Sequence, residues 1–211
     1  MKNRSHGFTL MELMVVLALV AAIMAIGVPS FREFTRNNRM VTMANDFLTG
    51  IQVARTEAIK RQVVSGGVAL CASGNPDDEE PTCLDEDARN FNGWIVFVDT
   101  DNDCQRDASN AKEVVLRAGS LIDAANNATS YRKSVSNGAC ISFAATGFVR
   151  TDDPKSVPVR TVFCDERGIV DQSPSIPLSV ARGVEVTATG RARVTRDTKE
   201  ITAWGDALEC K

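Results

Sequence analysis

The chain has 211 residues, of which 44% are hydrophobic and 24% charged, and its formal net charge is −3 at pH 7. A chain this apolar can bury enough surface to offset the entropy of ordering, which argues against an intrinsically disordered protein. Because the molecule is weakly acidic and not a polycation, it could bind nucleic acid only through a local basic patch.

The composition also argues against most enzyme classes. The single histidine, His6, lies near the N-terminus, in a segment that we expect to be removed. Without it the mature chain lacks a Ser-His-Asp triad, a Cys-His pair and a histidine-containing zinc site. We therefore expect no enzymatic activity and no cofactor. A membrane-anchored periplasmic enzyme that uses carboxylate or lysine chemistry is a distant alternative.

The first element is a short leader followed by an apolar helix. Residues 1–7 are basic and polar, whereas residues 8–28 are apolar apart from Thr9 and Glu12. At a rise of ~1.5 Å per residue this helix would cross the ~30 Å hydrocarbon core of a bilayer. The positive-inside rule keeps the leader cytoplasmic and places the chain after Pro29 outside.

A cleaved secretory signal peptide is the alternative interpretation of this segment, and two features count against it. The small residues of the apolar run lie inside a pattern that continues as a helix, so no cleavage site follows the run. Glu12 lies within the apolar stretch, where burying a carboxylate costs on the order of 2–3 kcal/mol. An acid in that position indicates a function.

The residues at this junction resemble the prepilin motif of type IV pilins and type II secretion pseudopilins. Residues 7–13 read Gly-Phe-Thr-Leu-Met-Glu-Leu, after a basic leader and before an uninterrupted apolar helix. The resemblance implies that a prepilin peptidase cuts between Gly7 and Phe8 and that the new Phe8 amine is methylated. Glu12 would then be the fifth residue of the mature chain.

Assembly into a filament would explain why an acid is tolerated in the apolar helix. When subunits stack these helices, the Glu12 carboxylate of one subunit can meet the Phe8 amine of a neighbour. At ~4 Å and an effective dielectric of ~20, such a pair gains about 4 kcal/mol. Buried without a partner, the carboxylate would only cost free energy, so we expect Glu12 to act in subunit assembly.

An amphipathic helical pattern continues after Pro29 to about residue 62. Its apolar residues recur at spacings of three, four and seven, and polar residues largely fill the opposite side. Pro29 predicts a kink and not an end, whereas the Ser-Gly-Gly of residues 65–67 ends the helix. The expected domains are a cleaved leader (1–7), a transmembrane and polymerisation helix (8–29), an amphipathic helix (30–66) and a periplasmic β-rich head (67–211).

From residue 68 onward, short β-type runs alternate with turn residues. The clearest run is Gly-Trp-Ile-Val-Phe-Val-Asp at residues 93–99. Later segments have a strand followed by a turn, as in Phe-Ala-Ala-Thr-Gly at residues 143–147 and Cys-Asp-Glu-Arg-Gly at residues 164–168. The predicted strands are residues 68–71, 94–98, 113–117, 140–143, 161–164, 183–187 and 191–195.

This order of segments resembles the GspH/FimT branch of minor pilins. In that branch a Gly-Trp-x-Val-Phe-x-Asp strand, a Phe-x-x-x-Gly and a Cys-Asp-x-x-Gly precede a C-terminal Gly-Arg-x-Arg, all of which this sequence contains in that order. The resemblance implies an α+β, pilin-like fold. Its long N-terminal helix, with a membrane half and an amphipathic half, would pack on an antiparallel β-sheet.

The cysteines indicate a disulfide framework. They are even in number, all follow the apolar segment, and none is in a Cys-x-x-Cys pair, which argues against a zinc ribbon. Disulfides in an oxidising compartment are the better interpretation. Sequence alone does not choose the pairing, although we favour Cys71–Cys83 and Cys164–Cys210. The candidates are Cys71, Cys83, Cys104, Cys140, Cys164 and Cys210.

Two acidic segments follow. Asp99 to Asp103 alternates carboxylates as a calcium loop does, but Cys104 and Asn110 stand where an EF-hand needs glycine and glutamate. We favour an acidic, solvated hairpin end there, with calcium binding as the alternative. Residues 75–87 carry seven acids and no base, which predicts a solvated loop.

One segment supplies a local basic patch. Between residues 182 and 199 there are five bases and two acids, and alternation places Arg191, Arg193 and Thr195 on one strand face. Guanidinium groups suit phosphate oxygens, and the Gly-Arg-Ala-Arg of residues 190–193 resembles the DNA-contacting motif of FimT-type minor pilins. The alternative is an edge strand that arginine keeps soluble. The candidate DNA-binding residues are Arg191, Arg193, Arg196 and Lys199.

Together, motif and resemblance imply a non-enzymatic minor pilin of the GspH/FimT type. It would sit in the inner membrane with a cytoplasmic leader and a periplasmic head, and then join a type IV pilus-like filament at or near its tip to prime assembly and contact DNA. An H-type pseudopilin of type II secretion is the alternative. The expected partners are other minor and major pilins or pseudopilins, the prepilin peptidase, the inner membrane and DNA.

Overall fold

The computed structural model describes residues 9–62, 66–84, 92–120, 129–134, 140–150, 157–165, 167–169, 171–173 and 176–204. The chain forms two compact units, Met1–Asn38 and Arg39–Lys211. The elements of the described part are α1 (Leu10–Arg61), β1 (Gly67–Ser73), β2 (Gly93–Asp99), β3 (Val115–Ser120), β4 (Thr129–Ser134), β5 (Cys140–Phe143), β6 (Val149–Arg150), β7 (Val159–Asp165), β8 (Asp171–Ser173), β9 (Ile176–Val186), β10 (Ala192–Asp197) and α2 (Thr198–Ala203).

The N-terminal unit contains the first part of α1. Thr9 caps this helix, because its Oγ1 accepts the N–H of Glu12 at 3.2 Å and its carbonyl accepts the N–H of Leu13 at 3.1 Å. The helix continues through Pro29. The prediction that this proline does not end the helix is confirmed.

The second part of α1 has one buried face in the C-terminal unit, as the amphipathic pattern predicts. The helix ends at Arg61, and Gln62 follows with a left-handed φ of 49°. This end lies before the Ser-Gly-Gly that predicted it. The buried residues are Met40, Met43, Ala44, Phe47, Gly50, Ile51, Ala54 and Ala58.

Two antiparallel sheets complete the C-terminal unit, with strand orders β3-β2-β1-β5-β6 and β10-β9-β7-β4, while β8 pairs with β9. The Phe47 ring of α1 contacts both sheets edge-on. Its centroid lies 6.3 Å from that of Trp94 in β2 and 5.4 Å from that of Phe163 in β7. The expected α+β fold, a long N-terminal helix with antiparallel sheet, is confirmed.

The strands β1 and β2 of the first sheet are buried on both faces, which explains their unbroken apolar runs. Leu70 in β1 and Val96 in β2 pack in the core against α1. Their neighbours Cys71 and Phe97 point to the other face and pack in a second cluster with Cys83, Cys104 and Cys140. Disulfide-linked loops therefore cover the side of this sheet that the helix leaves open.

The disulfides join strands to loops. Cys71 is bonded to Cys83, the pair favoured from the sequence, with Cα atoms 5.6 Å apart. Cys104 is bonded to Cys140 with Cα atoms 6.0 Å apart. Cys164 is also disulfide-bonded. Its expected partner, Cys210, lies outside the described residues, so that pairing stays a prediction.

All seven predicted strands are present, β5 with the predicted bounds and the other six with shifted bounds, but three strands and one helix were missed. β6 and β8 span two and three residues, too few to show alternation. The sequence of β4, Thr-Ser-Tyr-Arg-Lys-Ser, shows no alternation of apolar and polar residues. α2 did carry a signal. Its N-cap Asp197 accepts the N–H groups of Lys199 and Glu200, and Asp-x-x-Glu is a capping pattern.

Candidate functional site

The first candidate surface is the exposed part of α1 in the N-terminal unit. An 18-residue window of this helix has a mean hydropathy of 2.6, none of it is buried, and α1 is long and apolar enough to cross a membrane. Glu12 lies exposed in the first turn, where the helix dipole favours a negative charge. The predicted processing residues Gly7 and Phe8 lie outside the described residues.

The second candidate surface is the predicted basic patch, and the structure divides it. Arg191 precedes β10, which starts one residue later than predicted. Arg193 is in the strand, and Lys199 is exposed in the first turn of α2. Arg196 is half-buried. The four residues do not form one exposed face.

Two acids hold Arg193. Its Nη2 lies 2.6 Å from Oε2 of Glu185 and also contacts Glu200, and its Nε donates to Glu185 at 2.8 Å. The hydrogen bonds to Glu200 and Glu185 raise the pKa of Arg193 well above its usual range. Thr195 lies on the same face, as alternation predicts, because its Oγ1 donates to Glu200 at 2.6 Å. Arg193 is therefore largely neutralised by one acid of the neighbouring strand β9 and one acid of α2.

Arg196 lies near a buried guanidinium. Nη1 of Arg182 donates to the carbonyls of residues 179, 180 and 181 at 2.9 to 3.0 Å. Burial lowers the pKa of Arg182 to about 10, and the charges of Arg196 and Arg167 add to that effect. This position suits a role of Arg196 in packing more than contact with a large external ligand.

Two turns meet at one arginine of α1. Nε of Arg55 donates to the carbonyl of Gly147 at 3.1 Å. A Cβ on Gly190 would lie 2.3 Å from that same carbonyl oxygen and 3.1 Å from Nε of Arg55. Both glycines have a positive φ, 77° and 74°. The Phe-x-x-x-Gly and Gly-Arg-x-Arg motifs are thus close in space, and both need glycine where they contact Arg55.

A cleft of about 340 Å³ opens beside this contact. Gln52, Arg55 and Thr56 line it from α1, and Gly190 and Arg191 line it from the turn before β10. Arg191 is exposed, and within the described part of the chain its guanidinium has no hydrogen-bond or ion-pair partner. The helical periodicity of the sequence places Arg55 on the polar side of the helix but gives no information about the distant residues that it contacts.

The acidic loop after β2 differs from its prediction. Carboxylate oxygens of Asp99, Asp101 and Glu113 lie within 4.8 Å of one another and are the group that could hold a cation among the described residues. The difference is at Asp99, which is buried and not solvated; Asp101 and Asp103 are exposed as expected, and Glu113, which lies outside the predicted loop, is buried. Asp99 accepts the N–H groups of Asn102 at 2.7 Å and Cys104 at 3.3 Å. Burial raises the pKa of Asp99 to about 6.

Comparison with known proteins assigns the family. Residues 43–193 match the family model described as type II transport protein GspH. The chain belongs to the GspH family. Residues 2–28 of this GspH-family chain also match the prokaryotic N-terminal methylation motif. It is therefore a minor pilin or pseudopilin of a type IV pilus or type II secretion system, and its apolar helix indicates membrane anchoring.

Two individual proteins are similar to this GspH-family chain. Prepilin peptidase-dependent protein D of Escherichia coli is 30% identical over 83 residues, which are 38% of this chain and 52% of that protein. The chain thus spans about half the length of this curated relative. The crystal structure of the type IV minor pilin FimU of Pseudomonas aeruginosa is 16% identical, with a TM-score of 0.44, and the match covers 78% of this chain and 94% of that one.

Proposed function

We propose that this protein is a minor pilin that joins a type IV pilus-like filament at or near its tip and primes its assembly. The observation that carries the proposal is an unburied apolar helix interrupted by one acid, Glu12, at the start of α1. The match of residues 2–28 to the N-terminal methylation motif supports it. A helix with this surface needs lipid or other helices to cover it.

The proposed life cycle has two stages. A prepilin peptidase removes the leader, residues 1–7, by cutting between Gly7 and Phe8, and the Phe8 amine is methylated. Residues 8–29 then hold the subunit in the inner membrane. The amphipathic helix continues from residue 30 to Arg61, and residues 67–211 form the periplasmic head. In the filament the Glu12 carboxylate meets the Phe8 amine of a neighbouring subunit. The subunit also contacts other minor and major pilins there.

The Glu12 pairing is tested with two variants of the same helix. Glu12→Ala removes the acid from the apolar stretch, whereas the control Glu33→Ala removes an exposed acid farther along α1. Both variants should be processed normally in membranes. Glu12→Ala should fall at least about tenfold in sheared filaments, because ~4 kcal/mol of pairing is lost, while Glu33→Ala should be incorporated normally. Normal incorporation of Glu12→Ala would contradict the pairing.

Processing is tested at the cleavage junction. Gly7→Ala should leave full-length precursor in the membrane fraction, detected by its larger mass on an immunoblot. Appearance of the mature form at wild-type levels would rule out the proposed junction.

A second candidate role is that of an H-type pseudopilin of type II secretion. The family model favours it by its description as a type II transport protein. Deleting the gene discriminates the two roles. Loss of piliation with normal protein secretion supports the pilus role, and the reverse result supports the pseudopilin role.

We also propose that the head contacts DNA through the Gly-Arg-Ala-Arg turn, with Arg191 as the contacting residue. Arg191 is exposed beside a cleft, whereas Arg193 is engaged by Glu185 and Glu200. This difference between the two arginines of the motif supports a DNA contact made by Arg191. Lys199, which is exposed in the first turn of α2, remains a further candidate at the periphery.

A further inference from the structure

We propose that Arg55 of α1 and Arg191 of the turn before β10 together bind one phosphate oxyanion, supplied by a phosphodiester of DNA. The inference rests on the proposed DNA contact and deepens it. It adds to that contact a helix residue that lies outside the Gly-Arg-Ala-Arg motif and gives the motif's arginine a partner.

The geometry brings the two arginines to one cleft. Arg55 lies against the residue that precedes Arg191, because a Cβ on Gly190 would lie 3.1 Å from its Nε and 3.3 Å from its Cδ. Both arginines line the cleft of about 340 Å³. Gly190 therefore leaves the space in which the Arg55 side chain lies against the turn that carries Arg191.

The hydrogen bonds of Arg55 orient its guanidinium and leave part of it available. Nε donates a hydrogen bond to the carbonyl oxygen of Gly147 at 3.1 Å. This bond fixes the plane of the guanidinium. Among the described residues, its terminal nitrogens Nη1 and Nη2 have no partner. A guanidinium held in this way keeps two donors in a fork, the arrangement that suits two oxygens of a phosphate.

The charge around the cleft also favours an anion. The described residues that line it include two arginines and no acid. On the same helix, Glu57 is engaged by Arg61 at 2.7 Å and by Lys60 at 3.3 Å, and these contacts lower its pKa. Two like charges next to one cleft repel each other, and a bound phosphate would relieve that repulsion.

The contrast with Arg193 strengthens the assignment. Arg193 already has two carboxylate partners, Glu185 and Glu200, so a phosphate would have to displace them. Arg55 and Arg191 have no acidic partner in the described part of the chain. Binding at the cleft therefore costs no existing ion pair.

The DNA arm of the test uses the full-length protein in non-ionic detergent micelles and a fluorescent DNA duplex, titrated at several salt concentrations. The variants are Arg55→Gln, Arg191→Gln and their double mutant. Lys60→Gln is the control, because Lys60 is an exposed cation on the same helix. Each single variant should weaken binding about tenfold and lower the salt slope by about 0.9. The double variant should lose little more, since both arginines hold the same phosphate.

Lys60→Gln should stay within about twofold of wild type, because it removes the same charge without touching the cleft. Thermal unfolding of each variant checks its fold, since Arg55→Gln also removes the hydrogen bond to Gly147. If that variant is unfolded, Arg55→Lys replaces it. It keeps a cation, loses the fork, and should weaken DNA binding by a smaller factor.

The second arm uses inorganic phosphate and protein with isotope-labelled arginine, followed by NMR of the Nε–H groups. Phosphate should shift the signals of Arg55 and Arg191 together, and Arg191→Gln should abolish the shift of Arg55. Chloride at matched ionic strength should shift neither signal.

The two arms separate the possible failures. If Arg191→Gln weakens DNA binding and a folded Arg55→Gln does not, and phosphate leaves Arg55 unshifted, the shared pocket is wrong while the proposed DNA contact stands. If phosphate shifts both arginines but the wild-type protein binds no DNA at low salt, the oxyanion pocket stands and DNA is overturned as its ligand. If neither arm responds, both proposals fail.

Discussion

The indole ring of Trp94 lies directly against the backbone of Gly50, so closely that a Cβ on Gly50 would stand 2.6 Å from its Cζ3. A Cβ on Gly119, which pairs with Trp94 across β2 and β3, would stand 2.3 Å from its Cζ2. The indole is 1% exposed. The first sheet can approach α1 this closely because the helix residue that faces the indole, Gly50, is a glycine.

Gly50→Ala should therefore destabilise the protein. Alanine is favoured over glycine in a helix by ~1 kcal/mol, but the clash with a fully buried indole costs about 1–3 kcal/mol, so we expect a net loss of about 1 kcal/mol in the free energy of unfolding. Denaturant unfolding followed by tryptophan fluorescence measures it. Gly27→Ala is the control, because its Cβ would have nothing within 4 Å. Equal stability of Gly50→Ala and wild type would contradict the close contact.

The Arg193 contacts predict a role in stability. Arg193→Gln should lower the free energy of unfolding by about 1 kcal/mol, because Glu185, with a side chain only 9% exposed, loses one of its partners. The value is small because Arg193 is 51% exposed and solvent screens the pairs. Arg191→Gln should leave stability unchanged, and a similar loss in both variants would contradict this division.

The cost of Arg193→Gln should also depend on pH. Hydrogen bonds from Arg193 and Thr195 lower the pKa of Glu200 below its ordinary value of 4.5. The stability from this carboxylate is present above pH 4.5 and is lost as the pH falls through the lower, folded-state pKa. The difference between wild type and Arg193→Gln should therefore shrink in acid, as measured by urea unfolding at several pH values.

Asp99 predicts the opposite pH dependence. Burial raises its pKa from 3.8 to about 6, and the charges of Asp103 and Asp101 add to the effect. Its contribution to stability is complete below pH 3.8 and is lost as the pH rises through about 6. A carboxyl-carbon NMR titration should give a midpoint near pH 6 for Asp99.

Asp99→Asn is the matched variant for that titration. Over the same pH interval the stability of wild type should fall relative to Asp99→Asn, which cannot ionise. An Asp99 midpoint near 3.8, or a stability difference that does not vary with pH, would contradict burial of this carboxyl.

Much of this protein follows from local patterns. The 3.6-residue periodicity predicts the buried face of α1, and the apolar run of residues 93–99 predicts β2, because each pattern reports burial along one element. The disulfide across the short loop, Cys71–Cys83, is similarly local, with a sequence separation of 12. The resemblance to the family is likewise carried by ordered motifs, each of which lies within one short segment.

The functional geometry depends on contacts that no local pattern encodes. Arg55 and Gly147 are separated by 92 residues, and periodicity says only that Arg55 faces outward. Alternation places Arg193 on a strand face but does not show that Glu185 and Glu200 neutralise it there. Side-chain type and spacing are properties of one segment, whereas charge partners and clefts arise where distant segments pack. Only the tertiary structure therefore shows that Arg193 has acidic partners while Arg191, within the described residues, has none.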